Sequence, residues 1–119
     1  MRQCYLIEFG TGIDIHGGSM TKAAQKAVKD AISHCCMAGL PKLMEMCGVG
    51  MEMEIRIGVP VPEAVDRAAV LAVLPEMEQT VSLEIVAGGM LAKRPDHTQD
   101  AEIVIANATI TVYLASVNI

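Results

Sequence analysis

The chain predicts a two-layer α+β domain in the order β-α-β-α-β-β. Three observations carry that reading. Segments 51–59 and 80–87 alternate apolar and polar residues with the period of a half-buried strand. The segment after Ser19 repeats apolar residues at the three- and four-residue spacing of an amphipathic helix. Hydrophobic residues make up 52% of the 119 residues, which suffices for one core and is too little chain for two.

In chain order, Gln3 to Phe9 is a short apolar run rich in strand formers, ending at Gly10-Thr11-Gly12, where glycines permit a tight turn. Ser19 is a good N-cap. Met20, Ala24, Ala27, Val28, Ala31, Ile32 and Cys35 then form one stripe of a helix of about five turns, which Gly39-Leu40-Pro41 should stop. Its alanine-rich stripe allows close packing on a sheet. From 51 to 59, Met51, Met53, Ile55, Ile57 and Val59 face one way, and Glu52, Glu54 and Arg56 the other. Asp66 reads as the cap of a short helix, Arg67 to Leu74, closed by Pro75.

Strand 80–87 sets Val81, Leu83 and Ile85 against Thr80, Ser82 and Glu84. Gly88-Gly89 marks a bulge or a close backbone approach. Arg94 to His97 forms a turn, and Glu102 to Leu114 the last strand. With both helices on one face of a four-stranded mixed sheet, the other face mixes Glu52, Glu54, Arg56, Thr80, Ser82, Asn107 and Thr109 with Cys4, Leu6, Ile103 and Ile105. Such a face suits burial against copies of the same chain, so a homo-oligomer is expected. The element order is similar to that of trimeric chorismate mutase and the YjgF-type deaminases, where three sheets close into a barrel with active sites between subunits. That analogy suggests a trimer or a multiple of it and transfers no activity.

Composition excludes several function classes. Net charge is −5, and no stretch gathers Lys and Arg into a phosphate-binding footprint. Aromatic residues are only 3%, too few for base stacking, so nucleic acid is not expected as a partner. No apolar run approaches the roughly 20 residues that span a bilayer. The N-terminus lacks the pattern of a secretory signal, which points to the cytoplasm. Cys4, Cys35, Cys36 and Cys47 form no C-x-x-C pair and read as free, mostly buried thiols.

The densest functional signal is Gly10-Thr11-Gly12-Ile13-Asp14-Ile15-His16-Gly17-Gly18, between a strand and a helix N-terminus. Glycines let a ligand approach the backbone, and the amides and dipole of the coming helix favour an anion. Asp14 and His16, two apart, point the same way in extended backbone. They could form an acid/base pair, two ligands of a metal that needs a third, or the hydrogen bonds of a turn. Gly10, Gly12 and Gly17 would hold an anion or oxyanion, with Thr21 and Lys22 in the first helical turn assisting. Glu8, within an apolar strand, is either paired across a subunit interface or part of the site. No cofactor is implied: the third glycine is misplaced for a dinucleotide fingerprint, and no G-K-[ST] closes a Walker loop.

The same stretch resembles a known family. Gly10-x-Gly12-x-Asp14-x-His16-Gly17 matches the G-x-G-x-D-x-H-G signature of the conserved hypothetical Lin0512 family, and the resemblance extends through Gly58-Val59-Pro60 and Val70 to Pro75. The resemblance supports a site at the motif and implies no reaction. With Asp14 and His16 as the acid/base pair at the Gly10–Gly17 turn, the expected function is an oligomeric enzyme (a hydrolase, deaminase or isomerase) acting on a small anionic or amide-bearing metabolite. The alternatives are a metabolite-binding protein or a structural subunit of a complex.

Among other residues, Lys93, Arg94 and His97 form a basic spot in a turn. Arg67 is solvated or binds a carboxylate, and Asp30 and His34 make a surface pair one helical turn apart.

Overall fold

A computed structural model describes residues 2–76, 79–93 and 102–116. The elements are β1 (Arg2–Asp14), α1 (Met20–Ser33), α2 (Leu40–Cys47), β2 (Val49–Val59), a 3-10 turn (Pro62–Ala64), α3 (Arg67–Leu71), β3 (Gln79–Ala87), β4 (Met90–Lys93) and β5 (Glu102–Ser116). The class is α+β, as expected, but the mixed sheet has five strands. Its order is β1-β5-β2-β3, with β4 also paired to β5. Strand β2 runs antiparallel to β5 and parallel to β3. The turn expected at 94–97 lies outside the described residues, and so do Arg94 and His97 of the basic spot.

The alternation in β2 holds at every position: Met51, Met53, Ile55, Ile57 and Val59 are all buried. With Val104, Ala106, Ala108, Ile110 and Val112 of β5 they form the floor on which α1 lies. α1 is shorter than expected. Ser19 Oγ accepts the Lys22 amide at 3.1 Å and starts the helix, as expected. After Ser33 the chain tightens, with His34 N donating to Ala31 O and Cys35 N to Ile32 O.

Pro41 does not stop a helix but opens one. It occupies the first turn of α2, where a missing N–H costs nothing, and Gly48 (φ 64°) ends that helix. Leu40 and Met44, one helical turn apart, carry the helical signal that the proline masks in the sequence. Helix α3 begins at Asp66, whose carboxylate accepts the Ala69 amide at 3.2 Å, and stops at Leu71.

At the end of β3, Gly88 and Gly89 bring the chain across the end of β2. Gly88 N donates to Val59 O at 2.9 Å. Gly89 has φ 63°, and a side chain there would strike Ile105 O. This close approach lets β4 step inward and pair with Glu102–Ile105 of β5, continuing the line of β2.

The second sheet face has no covering element among the described residues. The register places Ile7 beside Thr111, Phe9 beside Thr109, Thr11 beside Asn107 and Ile13 beside Ile105 on that face. A bulge between Cys4 and Leu6 changes the side-chain parity of β1. Cys4 therefore shares the open face with Tyr113, as expected, whereas Leu6 turns to the core. Arg2 lies 3.8 Å from the Tyr113 ring centroid and pairs with Glu52 and Glu54.

Candidate functional site

The glycine motif is placed differently from the turn its composition suggests. β1 continues through Gly10 and Gly12 to Asp14, so both glycines are strand residues paired to β5. Their missing side chains face α1. A Cβ at Gly10 would fall on the backbone of Ala27 and Ala31, and one at Gly12 on the backbone of Ala23 and Ala27. The glycines let the helix backbone rest directly on the strand. The matching signal was in the sequence: Ala23, Ala27 and Ala31 recur every four residues, and each is fully buried.

Asp14 is the one described buried charged residue, 4% exposed. Its Oδ2 accepts the Ser19 amide at 2.7 Å. The carboxylate thus ties the end of β1 to the residue that caps α1, and its charge sits at the positive end of the helix. His16 lies in the following bend and is exposed. Gly17 (φ 87°) and Gly18 (φ 61°) turn the chain toward Ser19.

Thr21 is drawn away from the motif. Its hydroxyl accepts the Asp66 amide at 2.9 Å and donates to Ala64 O at 3.5 Å, fastening α1 to the 3-10 turn. Lys22 is exposed, and its amide is taken by the Ser19 cap. Glu8 faces the far end of α1, where it acts on Cys35. Glu8 and Asp14 lie six positions apart along the strand, about 20 Å. The structure thus joins Asp14, Ser19 and the start of α1, and does not bring Glu8 or the Thr21 hydroxyl to them. No group of three or more potential metal ligands occurs among the described residues.

Several other side chains serve the sheet's edges. Asp30 accepts the Thr11 amide at 2.9 Å while pairing with His34 at 3.5 Å. Lys26 Nζ donates to Ile13 O at 3.0 Å, and Arg67 to Leu83 O at 2.7 Å. All four cysteines are free, as expected, but Cys4, Cys36 and Cys47 are exposed rather than buried. Burial pushes the half-buried Cys35 thiol up from its ordinary value, and the nearby Glu8 charge adds to the effect.

The open sheet face carries features that the motif reading missed. Phe9 is 60% exposed, Met90 59%, Ile7 49% and Ile13 41%. Beside this apolar area, a hollow of about 310 Å³ is lined by Glu54, Arg56, Ser82, Glu84, Thr109 and Thr111. Within it Arg56 pairs with Glu84 at 3.2 Å. The β1 contribution was hidden because its bulge and length were not read from the sequence.

Residues 4–112 match the family model described as a conserved hypothetical protein, Lin0512. Among solved structures, the chain is similar to an FtsZ-like protein of unknown function from Nostoc punctiforme PCC 73102, with 36% identity and a TM-score of 0.78. That match covers 94% of this chain and 95% of the other. No curated protein matches.

Proposed function

The chain belongs to the Lin0512 family of conserved hypothetical proteins, and from that premise we propose that it is a self-assembling subunit whose open sheet face is buried against further copies. Neither the family description nor that of the Nostoc relative names a ligand or reaction, so the reading rests on this chain's own surface. The observation that carries it is the set of large apolar side chains on the open face, Ile7, Phe9, Ile13 and Met90. Several large apolar side chains exposed together on one face mark an interaction site. The charged groups on the same face already hold partners, Arg2 with Glu52 and Glu54, and Arg56 with Glu84. They can enter an interface without leaving a charge alone. Closure of three sheets into a barrel, by analogy with the trimeric folds named above, is the arrangement we propose.

The proton-transfer reading of Asp14 and His16 draws less support, because the Asp14 carboxylate is buried and bonded to the Ser19 amide. Sedimentation equilibrium tests the assembly. The wild-type protein should sediment as three copies or a multiple of three, and Met90→Glu, which sets a charge on the apolar part of the face, should lower that mass. A wild-type monomer at high micromolar concentration sinks the proposal.

The hollow favours a second reading, a metabolite-binding protein whose ligand lies between subunits. Its guanidinium, carboxylates and three hydroxyls suit a small polar molecule that both donates and accepts hydrogen bonds. Thermal-shift measurement against a panel of amino acids and small carboxylates should find a stabilising compound whose effect is lost in Arg56→Ala. Equal shifts in both proteins would rule this reading out.

A further inference from the structure

We infer that the outer edge of β1 pairs with the same edge of a second copy, antiparallel about a two-fold axis at Ile7, so that two sheets become one. This deepens the assembly proposed above, by a contact distinct from the open face.

β1 is an edge strand, paired on one side only, to β5. The Thr11 amide and the Ile13 carbonyl point outward, since they are taken by Asp30 and Lys26. In an antiparallel ladder the N–H and C=O of one residue share a side and alternate along the strand. The odd-numbered residues on this side of the bulge therefore face outward, so Ile7 and Phe9 do too. Neither has an outward hydrogen-bond partner among the described residues. The opposite edge is guarded where Arg67 takes Leu83 O.

Proteins usually blunt such an edge with charge, proline or a covering element. The segment Leu6–Gly10 has no proline, and its one charge, Glu8, is on the α1 side. Its outward backbone carries Ile7 and Phe9, side chains 49% and 60% exposed.

The occupant follows from the registers this edge allows. A two-fold axis at Glu8 would let the outward Ile7 and Phe9 backbones pair, but it sets the two Glu8 carboxylates directly opposite each other. An axis at Phe9 would set Ile7 against Thr11 of the partner subunit, whose amide is already held by Asp30. An axis at Ile7 meets neither obstacle. Ile7 exchanges both hydrogen bonds with its counterpart, and Phe9 comes level with the bulge residue, Tyr5 of the partner subunit. Glu8 then faces Leu6 of the partner subunit. The bulge between Cys4 and Leu6 ends the pairing on one side, and the Asp30 and Lys26 caps end it on the other. The strand is thus self-complementary over one short window.

Amide hydrogen exchange on the wild-type protein reads this pairing directly. Glu8 and Gly10 amides face β5 and are protected in any case. The expected result is that the Ile7 and Phe9 amides are also slowed, by at least about 100-fold relative to an unstructured chain. In Ile7→Pro, which removes an outward donor and leaves the β5 ladder intact, the sedimenting mass should fall by half. Ile7 and Phe9 amides that exchange freely beside a protected Glu8 overturn the inference, whatever the mass. If those amides are protected but Met90→Glu leaves the mass unchanged, the edge pairing stands and the open-face assembly falls.

Discussion

Gly10 and Gly12 are held by contact rather than by conformation. Each lies where α1 presents backbone instead of side chain, so a single methyl group has nowhere to go. Gly12→Ala should destabilise the fold by about 3 kcal/mol or more, at the upper end of overpacking costs because the obstacle is main chain. Urea denaturation measures this, and a loss within about 0.5 kcal/mol would show that α1 can lift off the strand at little cost. At Cys35, burial favours the neutral thiol in the folded state. Its contribution to stability is present below the ordinary thiol range and is lost as pH rises through the raised value. Alkylation by iodoacetamide at pH 8, followed by mass spectrometry, should therefore be slower at Cys35 than at the exposed Cys47, with the gap narrowing at higher pH. Equal rates would contradict this. The sequence picked out Asp14 as singular but could not say which way it turned, because a carboxylate that binds a ligand and one that anchors a turn share the same spacing.

Among elements, the most legible was β2, whose five inward residues alternate without a break. Two elements went unread for different physical reasons. α2 exposes all of its residues except Leu40 and Met44, so its apolar periodicity was faint. β4 spans four residues and owes its place to the glycine step before it rather than to its own composition. That dependence can be checked. Gly89→Ala puts a side chain at φ 63° and against Ile105 O, so it should release β4 from β5. Amides of Met90 to Lys93 should then exchange faster while those of β2 stay protected, and unchanged exchange in β4 would show that the step tolerates a side chain.

At the scale of the whole molecule, the protein is long and thin, 59 × 24 × 20 Å. Its radius of gyration is 16.4 Å, against about 13.5 Å for a compact domain of this length. A slab with one bare sheet face buries less of itself than a globule does, so the proposed assembly would add to stability. That face was legible as half-polar and half-apolar. Its reach along β1 was not, since it depends on a bulge that no local pattern announces. β5, the last strand described, is the one that touches β1, β2 and β4, so it is the keystone of the sheet. Before residue 102 leaves the ribosome, β1 has no strand beside it, and only β2 and β3 can pair. The nascent chain must carry an unmated apolar strand through most of its synthesis, and its sheet closes only at the end.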